Sequence, residues 1–234
     1  HSMTILCTSG LTNRIITMLS FYYICRLYNI KLNVIWIKDG ACNGYFQDYF
    51  EDIENVTIHT EKIGSSIFFT GQCQFKYIVK FFGISYNHAL LLDMLRFIRL
   101  KRYMKDELQY FVNVHNITDR IGVHVRRTDF TGNFIGKLIN GSNEDKEFYD
   151  FIGNEKCFIA TDNRATQLVY KKHFNDRIVW FRNIPYTTKL RKTSIKNAII
   201  DLYLLSFCKK IKGTRNSSFS EFSKNLKKAR VNQL

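Results

Sequence analysis

The sequence predicts an α/β protein built from two Rossmann-like halves, residues 1–118 and 119–234. The first observation is that short apolar or β-branched runs alternate with stretches of helical spacing. The second is that this alternation restarts at Asp119-Arg120, after a helical stretch that ends near Asn116. The third is that three runs end in polar clusters, at 10–14, 124–129 and 161–162. Ligands of open α/β sheets bind outside the carboxyl ends of the strands, so these clusters mark one functional rim.

Taken in order, residues 4–8 form an apolar run that predicts the first strand, and a Gly-Leu-Thr-Asn turn follows at 10–13. Residues 14–28 carry Ile15, Met18, Leu19, Tyr22, Tyr23 and Leu27 at helical spacing, with Asn29 as the stop. The β-branched run at 32–37 predicts the second strand, which completes a β-loop-α-β opening. Turn signals fill 38–60 around a strand at 56–59, and 66–69 predicts another. Stretches 86–102 and 106–114 read as helical with a basic face. In the second half, 121–125 predicts a strand, 130–146 a polar loop, 147–152 a helix end and 157–160 a strand. A helix at 164–174 and a strand at 178–181 follow. The amphipathic helix at 193–208 turns Ile195, Ala198, Ile199, Leu202 and Leu205 inward. A strand at 211–213 and a loop at 216–220 lead into the last helix. His1-Ser2-Met3 reads as a tag remnant before a start methionine and is left out of this pattern.

Composition narrows the function. Apolar residues make up 45% of the 234, enough for a buried core, and Pro185 is the single proline, so no Pro-rich linker separates the halves. The net charge of +15 admits a polyanionic partner: nucleic acid, an acidic membrane surface or a phosphorylated ligand. The basic residues are spread along the chain, with denser groups at 96–105, 189–196 and 224–230. No helix-turn-helix, RNP or zinc spacing accompanies them, so no nucleic-acid partner is expected. The six cysteines include no C-x-x-C pair, and Cys7, Cys157 and Cys208 lie in apolar runs as small hydrophobes. That usage fits a reducing, cytoplasmic compartment. No run of about 18 apolar residues occurs, so no membrane span is expected. Asp52-Ile-Glu54 and Asp145-Lys-Glu147 come nearest to an Asp-x-Asp metal motif and follow no predicted strand, so no metal is expected.

The sequence His124-Val125-Arg126-Arg127-Thr128-Asp129 leaves a predicted strand. Alternate strand residues share a face, so His124 and Arg126 point together while Val125 faces the core. An imidazole beside a guanidinium suits a phosphate-bearing ligand, because Arg binds phosphate oxygens bidentately and stays charged. The same residues also fit an Arg127–Asp129 ion pair at a strand end.

The 124–129 segment resembles the H-x-R-R-x-D motif of the α1,2-, α1,6- and protein O-fucosyltransferase superfamily. Gly10-Leu-Thr-Asn13-Arg14 resembles that family's G-x-G-N loop, with Thr12 in place of the loop glycine. Phe158-Ile-Ala-Thr161-Asp162 is similar to its second motif, and 201–206 with 213–220 to its third, a helix bearing Asp followed by a Ser-Ser loop. The resemblance implies a GT-B-like fold of two Rossmann-like lobes facing a cleft. In it, 1–118 would be the acceptor side and 119–234 would bind the donor. It implies an inverting, metal-independent glycosyltransferase with GDP-fucose as donor substrate and a glycan acceptor, and no cofactor.

The family roles carry over residue by residue. Arg126 corresponds to the catalytic cation at the β-phosphate, and His124 to a nucleotide contact. Asp201 corresponds to the carboxylate that recognises guanine, Ser217 and Ser218 to donors for the pyrophosphate, and Gly10 and Asn13 to the loop over sugar and diphosphate. Asp162 is a further donor contact. Structural readings stand beside these: an exposed helix carboxylate for Asp201, a helix cap for Ser217-Ser218, a turn for Asp162 and an N-cap for Asn13. The base that takes the acceptor proton has no match, since 130–138 contains no Asp or Glu; Asp129 and Asp39 are the candidate carboxylates. Competing readings are a transferase for another nucleotide sugar and a non-enzymatic basic protein that binds nucleic acid or sugar.

Overall fold

The computed structural model describes residues 1–64, 68–70, 74–127, 144–185 and 193–229. It divides into two compact units, one built on His1–Met104 and the other on Lys105–Lys227. Among the described residues, no helix is long and apolar enough to cross a membrane.

The first unit begins with β1 (Ser2–Cys7), α1 (Leu11–Leu27) and β2 (Lys31–Ile35). Ser2 and Met3, set aside in the sequence, pair in register with Lys31 and Leu32. In α1, Ile15, Met18 and Leu19 are buried as the spacing predicts, but Leu27 is exposed, because it lies in the last turn next to the reversal. Asn29 adopts the left-handed conformation (φ 50°) and ends the helix. The unit continues with α2 (Phe46–Tyr49), β3 (Val56–His59), β4 (Phe68–Thr70), α3 (Phe75–Phe81), α4 (His88–Met94) and the start of α5 (Arg102–His115). The expected helix over 86–102 is broken after Met94. Phe50 and Leu100 form an antiparallel bridge, the Glu51 N–H donates to the Arg99 carbonyl at 2.8 Å, and the Lys101 N–H donates to the Tyr49 carbonyl at 2.9 Å. These backbone bonds to a distant segment outweigh the local helical preference. The sheet order is β3-β2-β1-β4, with all strands parallel.

The second unit repeats the order. It comprises β5 (Ile121–Val125), α6 (Glu144–Ile152), β6 (Cys157–Thr161), α7 (Arg164–Phe174), β7 (Ile178–Val179), α8 (Ile195–Phe207), β8 (Ile211–Gly213) and α9 (Ser218–Ala229). The parallel sheet runs β7-β6-β5-β8. β7 is two residues shorter than the sequence predicts. In each sheet the first strand has the second and fourth as neighbours, so successive crossovers leave in opposite directions. That places a topological switch point between β1 and β4 and another between β5 and β8.

Every residue of β5 and β6 is buried, as expected for a parallel sheet covered on both faces. Ile121, Val123 and Val125 pack with Phe148 and Ile152 of α6 and with Tyr170 and Phe174 of α7. The opposite face carries Gly122 and His124. A Cβ on Gly122 would lie 2.9 Å from Cys208 Sγ and 3.1 Å from Leu205 Cδ2, so glycine sets how closely the end of α8 approaches β5. Cys7, Cys25, Cys42, Cys157 and Cys208 are buried free thiols, and burial pushes Cys7 and Cys208 up to about 12; Cys73 lies outside the described residues.

Gly122→Ala should therefore lower the unfolding free energy by about 1–3 kcal/mol through overpacking. Adding Cys208→Ala should restore part of the loss, because it removes the atom in the way. Denaturant melts of the three proteins check this, and strictly additive effects would contradict it.

Candidate functional site

The clearest convergence of polar groups lies at the β5/β8 switch point. The chain leaves β5 through His124, Val125 and Arg126, and leaves β8 through Gly213 and Thr214. Thr214 is buried and joins the two. Its N–H donates to the His124 carbonyl at 2.9 Å, and its hydroxyl lies 3.1 Å from the same oxygen. The hydroxyl oxygen also accepts the Arg126 N–H at 3.0 Å. Arg126 is thereby held at the rim, half-buried.

His124 is buried, and its Nδ1 lies 2.7 Å from Ser220 Oγ in the first turn of α9. The Phe219 ring covers it with centroids 4.6 Å apart. Burial, reinforced by the Arg126 cation and opposed by Asp162, brings the imidazole down to about 4 from the ordinary 6.5, so it is neutral at pH 7. Ser217 is buried and caps α9: its Oγ accepts the Ser220 N–H at 3.4 Å. Ser218 is exposed at the start of the helix. Capping and ligand binding are compatible in both serines, since a helix N-terminus favours an anion.

Asp162 follows β6, and its Oδ1 accepts the Arg127 N–H at 2.9 Å. It is therefore more than a turn former, because it ties the end of β6 to the end of β5. The Arg127 guanidinium pairs with Asp145 of α6, which also accepts the Tyr170 hydroxyl at 3.3 Å. Asp129, the other partner that the sequence offers Arg127, lies outside the described residues. Asp201 corrects the exposed-carboxylate reading. It is buried in α8 rather than exposed, and burial raises its carboxyl well above the usual carboxylate range. No described contact joins it to His124 or Arg126.

In the first unit, Gly10 is the N-cap of α1 and Asn13 is already helical, so Asn13 is not the cap. The Asn13 side-chain amide donates to Ser9 Oγ at 3.1 Å. Ser9 itself has φ 72°, a left-handed conformation that is strained for a residue with a Cβ. Arg14, fully buried, braces this turn. Its Nε donates to the Ser9 carbonyl at 2.8 Å, its Nη1 to the Ile37 carbonyl at 2.6 Å, and its Nη2 to Asp39 Oδ2 at 2.6 Å. Asp39 Oδ1 accepts the N–H groups of Ala41 and Cys42 at 2.8 and 2.9 Å. Both oxygens of this candidate base thus anchor the loop after β2. Thr214, Ser220, Arg14 and Asp145 are the residues the sequence reading did not assign. Thr214 and Ser220 lie inside a segment it had already singled out.

Among the described residues, no group of three or more His, Cys, Asp or Glu side chains is placed to hold a metal ion.

His124 gives the site a pH signature. Its folded value near 4 is below the unfolded 6.5, so between those limits the unfolded chain binds the proton first. The contribution is fully present above pH 6.5 and is lost as pH falls towards 4. Relative to His124→Asn, the parent should lose up to about 3 kcal/mol across that window. Parallel pH–stability curves for the two proteins would contradict the assignment.

No protein-family model matches the sequence, and no curated protein matches it. Solved structures do. The fucosyltransferase NodZ from Bradyrhizobium is 13% identical with a TM-score of 0.66, over 95% of this chain and 92% of that one. NodZ α1,6-fucosyltransferase soaked with GDP-fucose is 14% identical with a TM-score of 0.63, covering 97% and 93%. POFUT1 in complex with GDP-fucose is 10% identical with a TM-score of 0.60, covering 96% and 93%. At these identities the likeness is one of fold: the chain has the GT-B-like α/β fold of these fucosyltransferases over nearly its whole length.

Proposed function

We propose that this chain is an inverting, metal-independent glycosyltransferase that moves fucose from GDP-fucose to a hydroxyl of a glycan acceptor. The two Rossmann-like units are its two GT-B lobes, the second for the donor and the first for the acceptor. The observation that carries this reading is the β5/β8 switch point, where Arg126, His124 and the capped start of α9 converge through Thr214. A guanidinium, a neutral imidazole and a helix N-terminus together suit a diphosphate. The resemblance to fucosyltransferases of known structure, some holding GDP-fucose, supports the choice of donor.

In this mechanism Arg126 faces the β-phosphate. As the sugar–oxygen bond breaks, the electron pair moves onto the departing GDP, and the cation is attracted more strongly in the transition state than before it. Ser217 and Ser218 supply donors to the pyrophosphate, Asp162 contributes at the donor side, and Gly10 and Asn13 belong to the loop for sugar and diphosphate. The acceptor proton goes to a carboxylate. Asp129 is the proposed base, because Asp39 is committed to Arg14 and its own turn. Asp201 accepts guanine N1–H and N2–H, two donors that match two carboxylate oxygens.

Arg126→Ala should lower kcat by about 10²-fold, as expected for losing one preorganised electrostatic donor. Arg126→Lys should recover only part of it, since a point charge cannot reproduce a bidentate fork. A folded Arg126→Ala protein with parental turnover would contradict the diphosphate role.

Asp201 gives a second test. Burial raises its carboxyl well above the usual carboxylate range in the free protein and so favours the protonated form, whereas recognition of N1–H and N2–H needs the carboxylate. GDP binding should therefore release a proton. Its affinity should rise with pH, by up to about tenfold per unit below the free-protein value. UDP should bind less well and without this dependence, and Asp201→Asn should abolish it for GDP. Calorimetry in buffers of different ionisation enthalpy measures the proton directly; equal binding of GDP and UDP, or no proton release, would overturn the guanine contact.

A further inference from the structure

The His124 ring has one hydrogen-bond partner among the described residues, Ser220 Oγ at 2.7 Å from Nδ1. Ser220 is 2% exposed, and its hydroxyl has no other described partner. A buried hydroxyl hydrogen without an acceptor is costly, so the hydrogen goes to Nδ1. The ring nitrogen that accepts cannot also carry a proton. In the neutral imidazole the proton then sits on Nε2.

The local fold is built for this contact. A Cβ on Gly213 would lie 2.2 Å from Ser220 Oγ and 2.3 Å from Ser220 Cβ. Glycine at the end of β8 is what lets the first turn of α9 come this close. The Ser217 cap holds the Ser220 N–H, and the Phe219 ring covers the imidazole. Position, distance and ring orientation are thus fixed by Ser217, Phe219 and Ser220 at the start of α9. With its value lowered to about 4, the ring is neutral at pH 7.

We propose that Ser220 is a positioning residue that locks His124 in its Nε2–H tautomer, so that the ring offers a fixed hydrogen-bond donor to an acceptor oxygen of the bound nucleoside diphosphate. The ligand half of this rests on the proposed function. The tautomer half does not. Without the hydroxyl the ring is free to carry its proton on either nitrogen, and part of the population presents a lone pair to an anionic oxygen.

The test uses the full chain with ¹⁵N-labelled histidine. Long-range ¹H–¹⁵N spectra at pH 7 should show the parent His124 ring as the Nε2–H form, and Ser220→Ala should give a mixture of tautomers. Ser220→Cys, with a weaker donor, should fall between them. GDP affinity measured on the same proteins should drop about 3–10-fold in Ser220→Ala, with Ser220→Cys intermediate, the loss of about one net hydrogen bond. A parent ring protonated on Nδ1 would overturn the proposal, as would a Ser220→Ala ring that keeps the parental tautomer. A changed tautomer with unchanged GDP affinity would overturn the ligand half. A parent that binds no GDP at all would overturn the nucleotide reading itself, while the spectrum would still decide what Ser220 does to His124.

Discussion

The hydroxyl of Thr214, buried beside β5, accepts the Arg126 N–H and lies within hydrogen-bonding distance of the His124 carbonyl. Strand pairing between β5 and β8 ends at His124 and Gly213, so without Thr214 nothing in the ladder would define the path beyond it. Everything attributed to the rim follows from that clip. It sets where Arg126 leaves the sheet, how far the turn after β8 stands from β5, and therefore where α9 begins. Ser217 then caps α9 and Ser220 meets His124, a contact that only the missing side chain of Gly213 permits. The first unit solves the same problem with a different group. Arg14 binds the carbonyls of Ser9 and Ile37 and the Asp39 carboxylate, and so fixes the loops after β1 and β2 together. A buried guanidinium is costly to desolvate, but its planar fork reaches three acceptors and stacks over Trp36 at 5.5 Å.

Burial also sets the electrostatics of the second unit. His124 is neutral because the interior penalises its cation, and the Asp201 carboxyl is pushed well above the usual range because the interior penalises its anion. The Arg127 charge is answered by Asp145. The shift at Asp201 and the pairing of Asp145 lessen the negative charge of the unit that carries Arg126, while the neutral His124 adds no charge of its own. Asp162 is the carboxylate next to it, and one of its oxygens is held by the Arg127 N–H.

The strand–helix alternation was legible because each strand is short, β-branched and bounded by turn residues. The expected strands at 56–59, 121–125 and 211–213 and the helix at 164–174 have the predicted limits. Local spacing failed where tertiary bonds decide. The 86–102 helix is interrupted because residues 99–101 bond to residues 49–51, a pairing no window of sequence contains. Strand order, and hence the two switch points, could not be read from spacing either. Of the site residues, Arg126 and His124 stood out by chemistry at a strand end. Thr214 and Ser220 did not, because a threonine and a serine in a loop are ordinary until a partner about 90 residues away is known. The Arg127–Asp145 and Arg14–Asp39 pairs escape spacing for the same reason, since each joins residues far apart in sequence.

The proposed function requires a guanosine diphosphate group to bind where β5 and β8 diverge. Amide chemical-shift mapping of the labelled chain during titration with GDP tests it most directly. The largest changes should fall on Arg126, Arg127, Thr214, Ser217 and Ser220, and UDP should produce smaller ones. Changes confined to other parts of the chain, or none at millimolar GDP (a Kd above about 1 mM, or roughly 4 kcal/mol of binding), would contradict it.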